Sequence, residues 1–203
     1  DGYFILSDGE QRYYTISVNF VFDEEGSFIS TSTGLKVMGW QFDLTRAQLP
    51  NTSPQNLSGI VVKKGMMMPA QATSEVSFAK NLNSDDGVGN IYIIPFKVYD
   101  SKGSAHNLNI EFRKTDVNTW EYSINDGNQS EFGSGTLVFN YQGYFDPGSS
   151  NIGEVRVDLT NIGAEIITFT PDFTNVTQYA KDTTIDLSSQ NGYAAGTLLG
   201  VTI

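Results

Sequence analysis

Apolar and polar residues alternate along several stretches of the chain. In one of them Leu108, Ile110 and Phe112 take every second position between polar residues, which is the period of a β-strand with one buried face. The stretches that share this period are Asn107–Arg113, Trp120–Ile124 and Glu154–Leu159. We therefore predict strands there, with a common interior formed by Leu108, Ile110, Phe112, Trp120, Tyr122 and Ile124.

Two further stretches fit strands less regularly. Thr183–Leu187 alternates only weakly, and Ile91–Tyr99 is almost continuously apolar. Pro95 interrupts the second stretch, and a proline within a strand is typical of a sheet edge or a bulge. Ile91–Tyr99 is therefore predicted to be a strand that either lies at a sheet edge or contains a bulge.

Short turns with glycine separate these stretches. Asp100–Gly103, Asn125–Gly127 and Asp23–Gly26 each open with Asp or Asn and close with Gly. Asp and Asn side chains bond to the backbone of a turn, and Gly accepts the positive φ angle that a turn requires. Strands joined in this way form hairpins, which predicts an antiparallel sheet.

Helical spacing occurs only in two short stretches. Asp43–Leu49 could form one or two turns before Pro50, and Phe173–Ala180 has apolar residues at helical spacing. Neither is long enough to organise a domain. The sequence therefore predicts an all-β protein.

Two polar breaks divide the chain of 203 residues, a length that suits one large domain or two small ones. Asn81–Asn90 is polar, contains glycine and lies between β patterns, as linkers do, and Ser188–Gly192 is the second break. If both are hinges, the segment between them is an insertion. The other domain is then built from both ends of the chain.

Charge and composition exclude several classes of protein. The formal net charge is -11 and the pI is about 4.3, so binding to nucleic acid is not expected. No apolar run approaches the roughly 20 residues of a membrane helix, so no membrane insertion is expected. The opening residues lack the basic region of a secretory signal.

The residues that usually carry catalysis are scarce. The chain has no cysteine and a single histidine, His106, which excludes thiol chemistry and metal sites built from several histidines. Sequence motifs of nucleophilic, metal or phosphate-binding enzymes are missing. We predict that the protein is not an enzyme and takes no cofactor or metal.

Some residues still offer alternatives to a purely structural role. The acidic residues could bind calcium or transfer protons, although solvated turns explain them better; they are Asp23, Glu24, Glu25, Asp85 and Asp86. His106 could act as a general base or lie at a strand edge. Tyr144 and Phe145 could form a sugar platform or pack on their own sheet. Met66, Met67 and Met68 could form an adaptable contact surface or have a buried or incidental role. They cannot all face one core, so at least one should be exposed.

Several motifs occur in a defined order along the chain. The first group is DGYFIL at 1–6, YYT at 13–15, FVFDEEGSF at 20–28 and GLKVMGW at 34–40, and this group resembles the pattern of bacterial flagellar axial proteins. Later motifs resemble the hook-protein family in particular: PAQAT at 69–73, FAKNLN at 78–83, VYDSKGSAHN at 98–107, and the segment 173–200 with QNGY. The chain departs from the family pattern at Ile16 and Val18, where Arg and Gly are usual.

The resemblance implies two β domains and a structural function. The inner domain would comprise residues 1–83 with 188–203, and the outer, inserted domain residues 84–187. Subunits of this family polymerise into the curved hook, a universal joint that transmits motor torque to the filament. The implied partners are further copies of the subunit and the hook cap and hook–filament junction proteins. The implied location is extracellular, or periplasmic in spirochaetes, after export without a cleavable signal peptide.

The resemblance also points to subunit contacts. Spirochaete members crosslink their subunits through a lysine and a cysteine-derived group, chemistry that this chain cannot perform without a cysteine. The expected contact residues are Met66, Met67, Met68, Ala79, Lys80 and Asn81. The alternative reading is an extracellular carbohydrate-binding or adhesin-type β-sandwich.

Overall fold

The computed structural model describes residues 2–41, 51–63, 65–128 and 130–199. These residues contain the short 3₁₀ helices Pro54–Asn56 and Thr160–Ile162. The strands, in chain order, are β1 (Phe4–Ser7), β2 (Arg12–Thr15), β3 (Phe20–Phe22), β4 (Phe28–Ser30), β5 (Lys36–Gly39), β6 (Ser58–Gly59), β7 (Met67–Met68), β8 (Val76–Asn83), β9 (Ile91–Tyr99), β10 (Ala105–Asp116), β11 (Thr119–Asn125), β12 (Glu131–Val138), β13 (Asn151–Ile152), β14 (Val155–Val157), β15 (Ile167–Phe169), β16 (Asp172–Tyr179), β17 (Asp186–Gln190) and β18 (Gly196–Thr197).

The chain forms two compact units. Unit 1 comprises Asp1–Pro69 with Gly196–Ile203, and unit 2 comprises Ala70–Ala195. Unit 2 is thus inserted into unit 1, and the predicted all-β fold with one inserted β domain is confirmed. Within the described ranges, no helix has the length and apolar character needed to cross a membrane.

These units do not share the limits expected from the sequence, 1–83 with 188–203 and 84–187. The difference arises because β8, which pairs with β17, contributes Val76, Phe78 and Leu82 to the core of unit 2. The sequence-based domain limits stay a prediction.

Unit 1 is built around a small sheet. Its strands follow the order β2-β1-β5-β4-β3, with β6 paired to β5, and β7 pairs separately with β18. Its buried apolar residues are Leu6, Phe20 and Val37, and Phe28, Leu35 and Ile60 pack against them. Many other apolar side chains of unit 1 are exposed, including Tyr14, Ile16 and Val18.

Unit 2 has a larger core between two sheets. The antiparallel sheet β13-β12-β11-β10-β9 provides the predicted interior, and all six residues expected there are buried. The three-stranded sheet β16-β8-β17 covers it: the rings of Phe78 and Phe173 stack 5.5 Å apart, and both contact Phe112. Strand β9 lies at the edge of its sheet, which is one of the two alternatives that Pro95 indicated.

Two local expectations differ from the structure, and a third concerns residues that the structure does not describe. Phe173–Ala180 is not helical: most of it forms β16, which pairs in parallel with β8, because this pairing buries Phe173 and Val176 in the core. The parallel pair itself was not expected from short hairpin turns. The stretch Asp43–Leu49 lies outside the described residues.

The polar break Asn81–Asn90 is held in place by unit 2. The ammonium group of Lys114, which is almost buried, donates a hydrogen bond to the carbonyl of Ser84. The N–H of Lys114 binds the carbonyl of Asn90 at 3.0 Å, and Gly89 donates to the carbonyl of Lys114 at 2.8 Å. This segment connects the two sheets of unit 2, which explains why it is polar without being a linker between domains.

The turn between β9 and β10 depends on a buried carboxylate. Asp100 is fully buried, and its oxygens accept hydrogen bonds from His106 Nε2 at 2.9 Å and from the N–H groups of Lys102 and Ser104 at 2.8 and 2.9 Å. Burial by itself raises the pKa of Asp100. The hydrogen bonds from His106, Ser104 and Lys102 outweigh it and hold the pKa below its ordinary value.

Replacing Phe112 with alanine tests the core. Phe112 is fully buried, so Phe112→Ala is expected to lower the free energy of unfolding by about 3–5 kcal/mol. Ile93 lies on the exposed face of the same sheet, and Ile93→Ala is expected to change it by about 0.5 kcal/mol at most. Urea unfolding of both variants measures the difference, and an unchanged midpoint for Phe112→Ala would contradict the assigned core.

Acid titration tests Asp100. The pKa of Asp100 in the folded protein lies below its value in the unfolded chain, so the ionised carboxylate stabilises the folded protein above the unfolded-state pKa. This stabilisation is lost as the pH falls through the folded-state pKa. Asp100→Asn is expected to lose about 1–3 kcal/mol at pH 7 and to approach the parent's stability below about pH 4. Chemical unfolding across this pH range checks it. The pKa of Asp126 is also lowered, but Asp126 lies in an exposed turn, so Asp126→Asn should have a smaller effect.

Two fragments test the domain limits. Residues 70–195 retain β8 and β17 over the five-stranded sheet, whereas residues 84–187 lack β8 and expose the apolar face that it covers. We expect the longer fragment to unfold cooperatively and the shorter one to lack a cooperative transition. Circular dichroism during thermal unfolding distinguishes them, and equal stability of the two fragments would favour the sequence-based limits.

Candidate functional site

The three consecutive methionines lie on the surface of unit 1. The exposed fractions of Met66, Met67 and Met68 are 38%, 67% and 42%, so all three are accessible, where the sequence required only one. Met67 and Met68 form β7 and pair with Thr197 and Gly196 of β18. This short ribbon gives the methionines a fixed backbone.

An apolar groove lies beside these methionines within unit 1. It has a volume of about 540 Å³, and its apolar lining comes from Trp40, Ile60, Val62, Met66, Met68 and Leu198. The indole N–H of Trp40 donates to the carbonyl of Ser53 at 3.0 Å, which orients the ring. Exposed apolar grooves of this kind are typical of surfaces that bind another protein.

The other expected contact residues lie on β8 of unit 2. Lys80 is exposed, has a φ angle of +79° and places its ammonium group 3.5 Å from a carboxylate oxygen of Asp186. Ala79 is half-buried. Asn81 is buried and its amide is used internally: it donates to the carbonyls of Tyr179 and Lys181 at 3.1 and 3.0 Å, and accepts from the N–H of Tyr179 at 2.8 Å. Lys80 is thus the member of this group whose side chain is most available to a partner.

The remaining candidate residues make contacts that support the fold. His106 binds the carboxylate of the turn described above, and Asp86 accepts a hydrogen bond from the hydroxyl of Tyr92 at 2.8 Å. Phe145 packs against Phe139 and Phe173, while Tyr144 is 56% exposed. Among the described residues, no three acidic or histidine side chains converge to hold a metal ion.

Three of the sequence motifs meet at one place in unit 2, where the chain enters and leaves it. Gln71, from PAQAT, and Tyr193, from QNGY, exchange both backbone hydrogen bonds at 3.0 Å. The side-chain amide of Gln71 adds a bond of 3.0 Å to the carbonyl of Asn191. The two segments are therefore paired although more than 100 positions separate them in the sequence.

Amide side chains reinforce this pairing. Asn191 Oδ1 accepts hydrogen bonds from the N–H groups of Ser74 and Glu75 at 2.9 and 3.0 Å. Gln190 Oε1 accepts from the hydroxyl of Thr73 at 3.0 Å and from the N–H of Gly192 at 2.7 Å. Each amide thus connects a residue near the end of unit 2 with one near its beginning.

The third motif, DSKG, supports both segments. The N–H of Thr73 donates to the carbonyl of Tyr99 at 2.9 Å, and the N–H of Tyr99 donates to the hydroxyl of Thr73, also at 2.9 Å. Gly103, in the turn that follows, lies directly against Ala70 and Ala195. We call these contacts the crossover clamp, formed by residues 70–75, 99–103 and 190–195. Each of the three motifs was recognised separately in the sequence, and no sequence signal indicated that they meet.

Comparison with known proteins supports this organisation. The sequence profile of the flagellar basal body protein FlaE D2 domain matches residues 68–193, nearly the same range as unit 2. The flagellar hook protein FlgE of Salmonella typhimurium is 29% identical over 226 residues, which cover 100% of this chain and 53% of that protein. FlgE of Treponema pallidum is 25% identical, with 97% of this chain and 54% of that protein covered.

A solved structure shares the fold. The structure of Helicobacter pylori flagellar hook protein FlgE2 superimposes with a TM-score of 0.63 at 11% identity, covering 97% of this chain and 80% of that one. The chain spans about half the length of the curated relatives described above. Because the family profile covers more than half of the chain, the chain belongs to the family of the flagellar basal body protein FlaE D2 domain.

Proposed function

We propose that this chain is the β-domain part of a bacterial flagellar hook subunit, which polymerises into a flexible universal joint and transmits motor torque to the filament. The observation that carries the proposal is the similarity to hook proteins along the whole chain, with the D2-domain family covering unit 2. The subunit acts in the extracellular hook, or in the periplasm if the source is a spirochaete.

Unit 1 has a small core and a large exposed apolar surface, which supports a role in the assembly of subunits. Tyr14, Ile16 and Val18 are 67%, 76% and 69% exposed, and the apolar groove lies in the same unit. Exposed apolar side chains gain free energy when a neighbouring subunit removes them from water. The residues at 16 and 18, where the family pattern has Arg and Gly, add to this apolar surface.

The proposed subunit contacts are of two kinds. Met66, Met67 and Met68 contact a second copy through flexible apolar side chains, which adapt to more than one packing arrangement. Lys80 and the half-buried Ala79 contribute from unit 2, and Asn81 acts indirectly by holding the backbone of β8. Hook cap and hook–filament junction proteins are the further proposed partners.

The net charge limits how strongly isolated copies associate. Each chain carries a formal charge of -11, so identical copies repel one another and the repulsion is screened by salt. A joint that bends must break and re-form its subunit contacts, which favours contacts of modest area. The isolated chain is therefore monomeric or weakly associating at micromolar concentration.

A chimera tests the proposed function. This chain replaces the corresponding segment of Salmonella typhimurium FlgE, in cells that lack their own hook protein. We expect the chimera to form hooks visible by electron microscopy, because the matched segment spans the whole of this chain. Well-folded chimera that is exported but forms no hooks would contradict the proposal.

Two substitutions in that chimera test the methionine contact. Met67→Glu places a charge on the proposed contact and is expected to reduce the number of hooks, because burying the charge against another subunit is unfavourable. Val88→Glu is the matched control, since Val88 is 70% exposed and lies in a turn of unit 2 outside the proposed contacts. Equal hook numbers for the two variants would exclude the methionines as subunit contacts.

A further inference from the structure

We infer that Asn191 and Gly192 form a latent self-modification site within the crossover clamp. When the clamp opens, the side-chain amide of Asn191 reacts with the backbone nitrogen of Gly192, and the rearranged main chain then prevents the clamp from closing again. The closed clamp keeps the two groups unreactive. The inference is independent of the proposed hook function, because it depends only on contacts within unit 2.

The order of the two residues makes the site reactive. Asn191 is the one asparagine of the sequence that glycine follows, and glycine has no side chain to hinder attack by its own nitrogen. In the reaction the nitrogen of Gly192 bonds to Cγ of Asn191, the bond from Cγ to Nδ2 breaks, and ammonia leaves with the proton of the Gly192 N–H. Water then opens the resulting succinimide ring at either carbonyl, which gives aspartate or isoaspartate.

The closed clamp restrains the attacking nitrogen. The N–H of Gly192 donates to Gln190 Oε1 at 2.7 Å, and this oxygen also accepts from the hydroxyl of Thr73 at 3.0 Å. Gly192 is buried. A buried nitrogen whose proton is used in a hydrogen bond neither loses that proton readily nor turns towards the neighbouring side chain. Attack therefore requires that the bond to Gln190 breaks first.

The closed clamp also restrains the amide that is attacked. Asn191 Oδ1 accepts hydrogen bonds from the N–H groups of Ser74 and Glu75, and Asn191 Nδ2 donates to the hydroxyl oxygen of Ser74 at 2.9 Å. All three bonds hold the amide against the segment at the beginning of unit 2. The reaction rate consequently follows the fraction of molecules in which this segment has opened.

Packing requires the reactive pair at this place. A Cβ atom on residue 192 would overlap the hydroxyl oxygen of Thr73 and lie 2.9 Å from Thr73 N, so only glycine fits. Asn191 uses both its carbonyl oxygen and its amide nitrogen in the clamp. The contacts that close the clamp thus select the two residues that react when it is open.

The two products differ in their effect on the clamp. Aspartate keeps a side-chain oxygen that accepts from the N–H groups of Ser74 and Glu75. Isoaspartate instead carries the main chain through the former side chain and lengthens it by one carbon. This insertion shifts Tyr193 away from Gln71, with which it exchanges both backbone hydrogen bonds. Opening followed by isoaspartate formation is therefore irreversible.

Peptide mass spectrometry of the complete chain tests the protection. The chain is incubated at the same mildly alkaline pH in buffer and in guanidinium chloride, and deamidation at Asn191 is followed with time. We expect it to be at least about tenfold slower in the folded chain, because only opened molecules react. Equal rates in the two solutions would overturn the inference.

Substitutions outside the reactive pair show whether the clamp provides this protection. Gln190→Ala frees the N–H of Gly192 and is expected to accelerate deamidation of the folded chain about tenfold. Gln142→Ala is the matched control in an exposed turn and should leave the rate unchanged. Ser74→Ala, at an exposed position, removes one bond to Asn191 and should accelerate the reaction several-fold if Gln190→Ala does not fold. Parent-like rates in the clamp variants, or equal acceleration by Gln142→Ala, would contradict protection by the clamp.

Refolding tests the effect of the product. Chain that has been partly deamidated in guanidinium chloride is diluted into buffer, the folded fraction is isolated by size exclusion, and its isoaspartate is measured by enzymatic methylation. We expect the folded fraction to contain at least about fivefold less isoaspartate than the total, because the lost pairing opposes folding. Asn191→Asp has the charge of the product with an unaltered main chain and should fold like the parent. Equal isoaspartate in both fractions, or failure of Asn191→Asp to fold, would overturn the proposed role of the main-chain insertion.

Discussion

Aromatic packing between sequence-distant strands holds unit 2 together. Phe78 lies near the beginning of the unit and Phe173 near its end, and their stacked rings cover Phe112 of the central sheet. This contact places β8 beside β16 and thereby brings together the segments by which the chain enters and leaves unit 2. The domain limits, the parallel strand pair and the crossover clamp all depend on it.

Polar side chains then hold the connecting segments against the aromatic core. Asn81, Asp100 and Asn191 each form hydrogen bonds with two or more backbone groups. A buried backbone group without a partner is costly, so these residues determine the path of the connecting segments. The turns and connecting segments that these residues reach are consequently hydrogen-bonded although they are rich in polar residues.

The two units differ in how they use apolar residues. Unit 2 buries most of its large side chains between two sheets, whereas unit 1 has a small core and exposes methionine, tyrosine and tryptophan. The exposed set of unit 1 supports a role in contacts between subunits. Unit 2 uses its apolar residues for its own core.

Local patterns were sufficient for the strands of the central sheet. Alternation in Asn107–Arg113 and Trp120–Ile124 identified the strands and the buried face correctly, because one side of that sheet is covered and the other meets solvent. The order of the motifs was likewise sufficient for the family.

Only the tertiary structure decided the role of the polar segments. Phe173–Ala180 has helical spacing in the sequence, yet pairing with β8 makes most of it a strand, since tertiary contacts outweigh a weak local preference. Asn81–Asn90 and Ser188–Gly192 have the composition of hinges, but whether a polar segment is free depends on partners far away in the sequence. For the same physical reason the crossover clamp could not be predicted from the sequence. Each of its three motifs is a short local segment, but the contacts that join them connect residues far apart in the sequence.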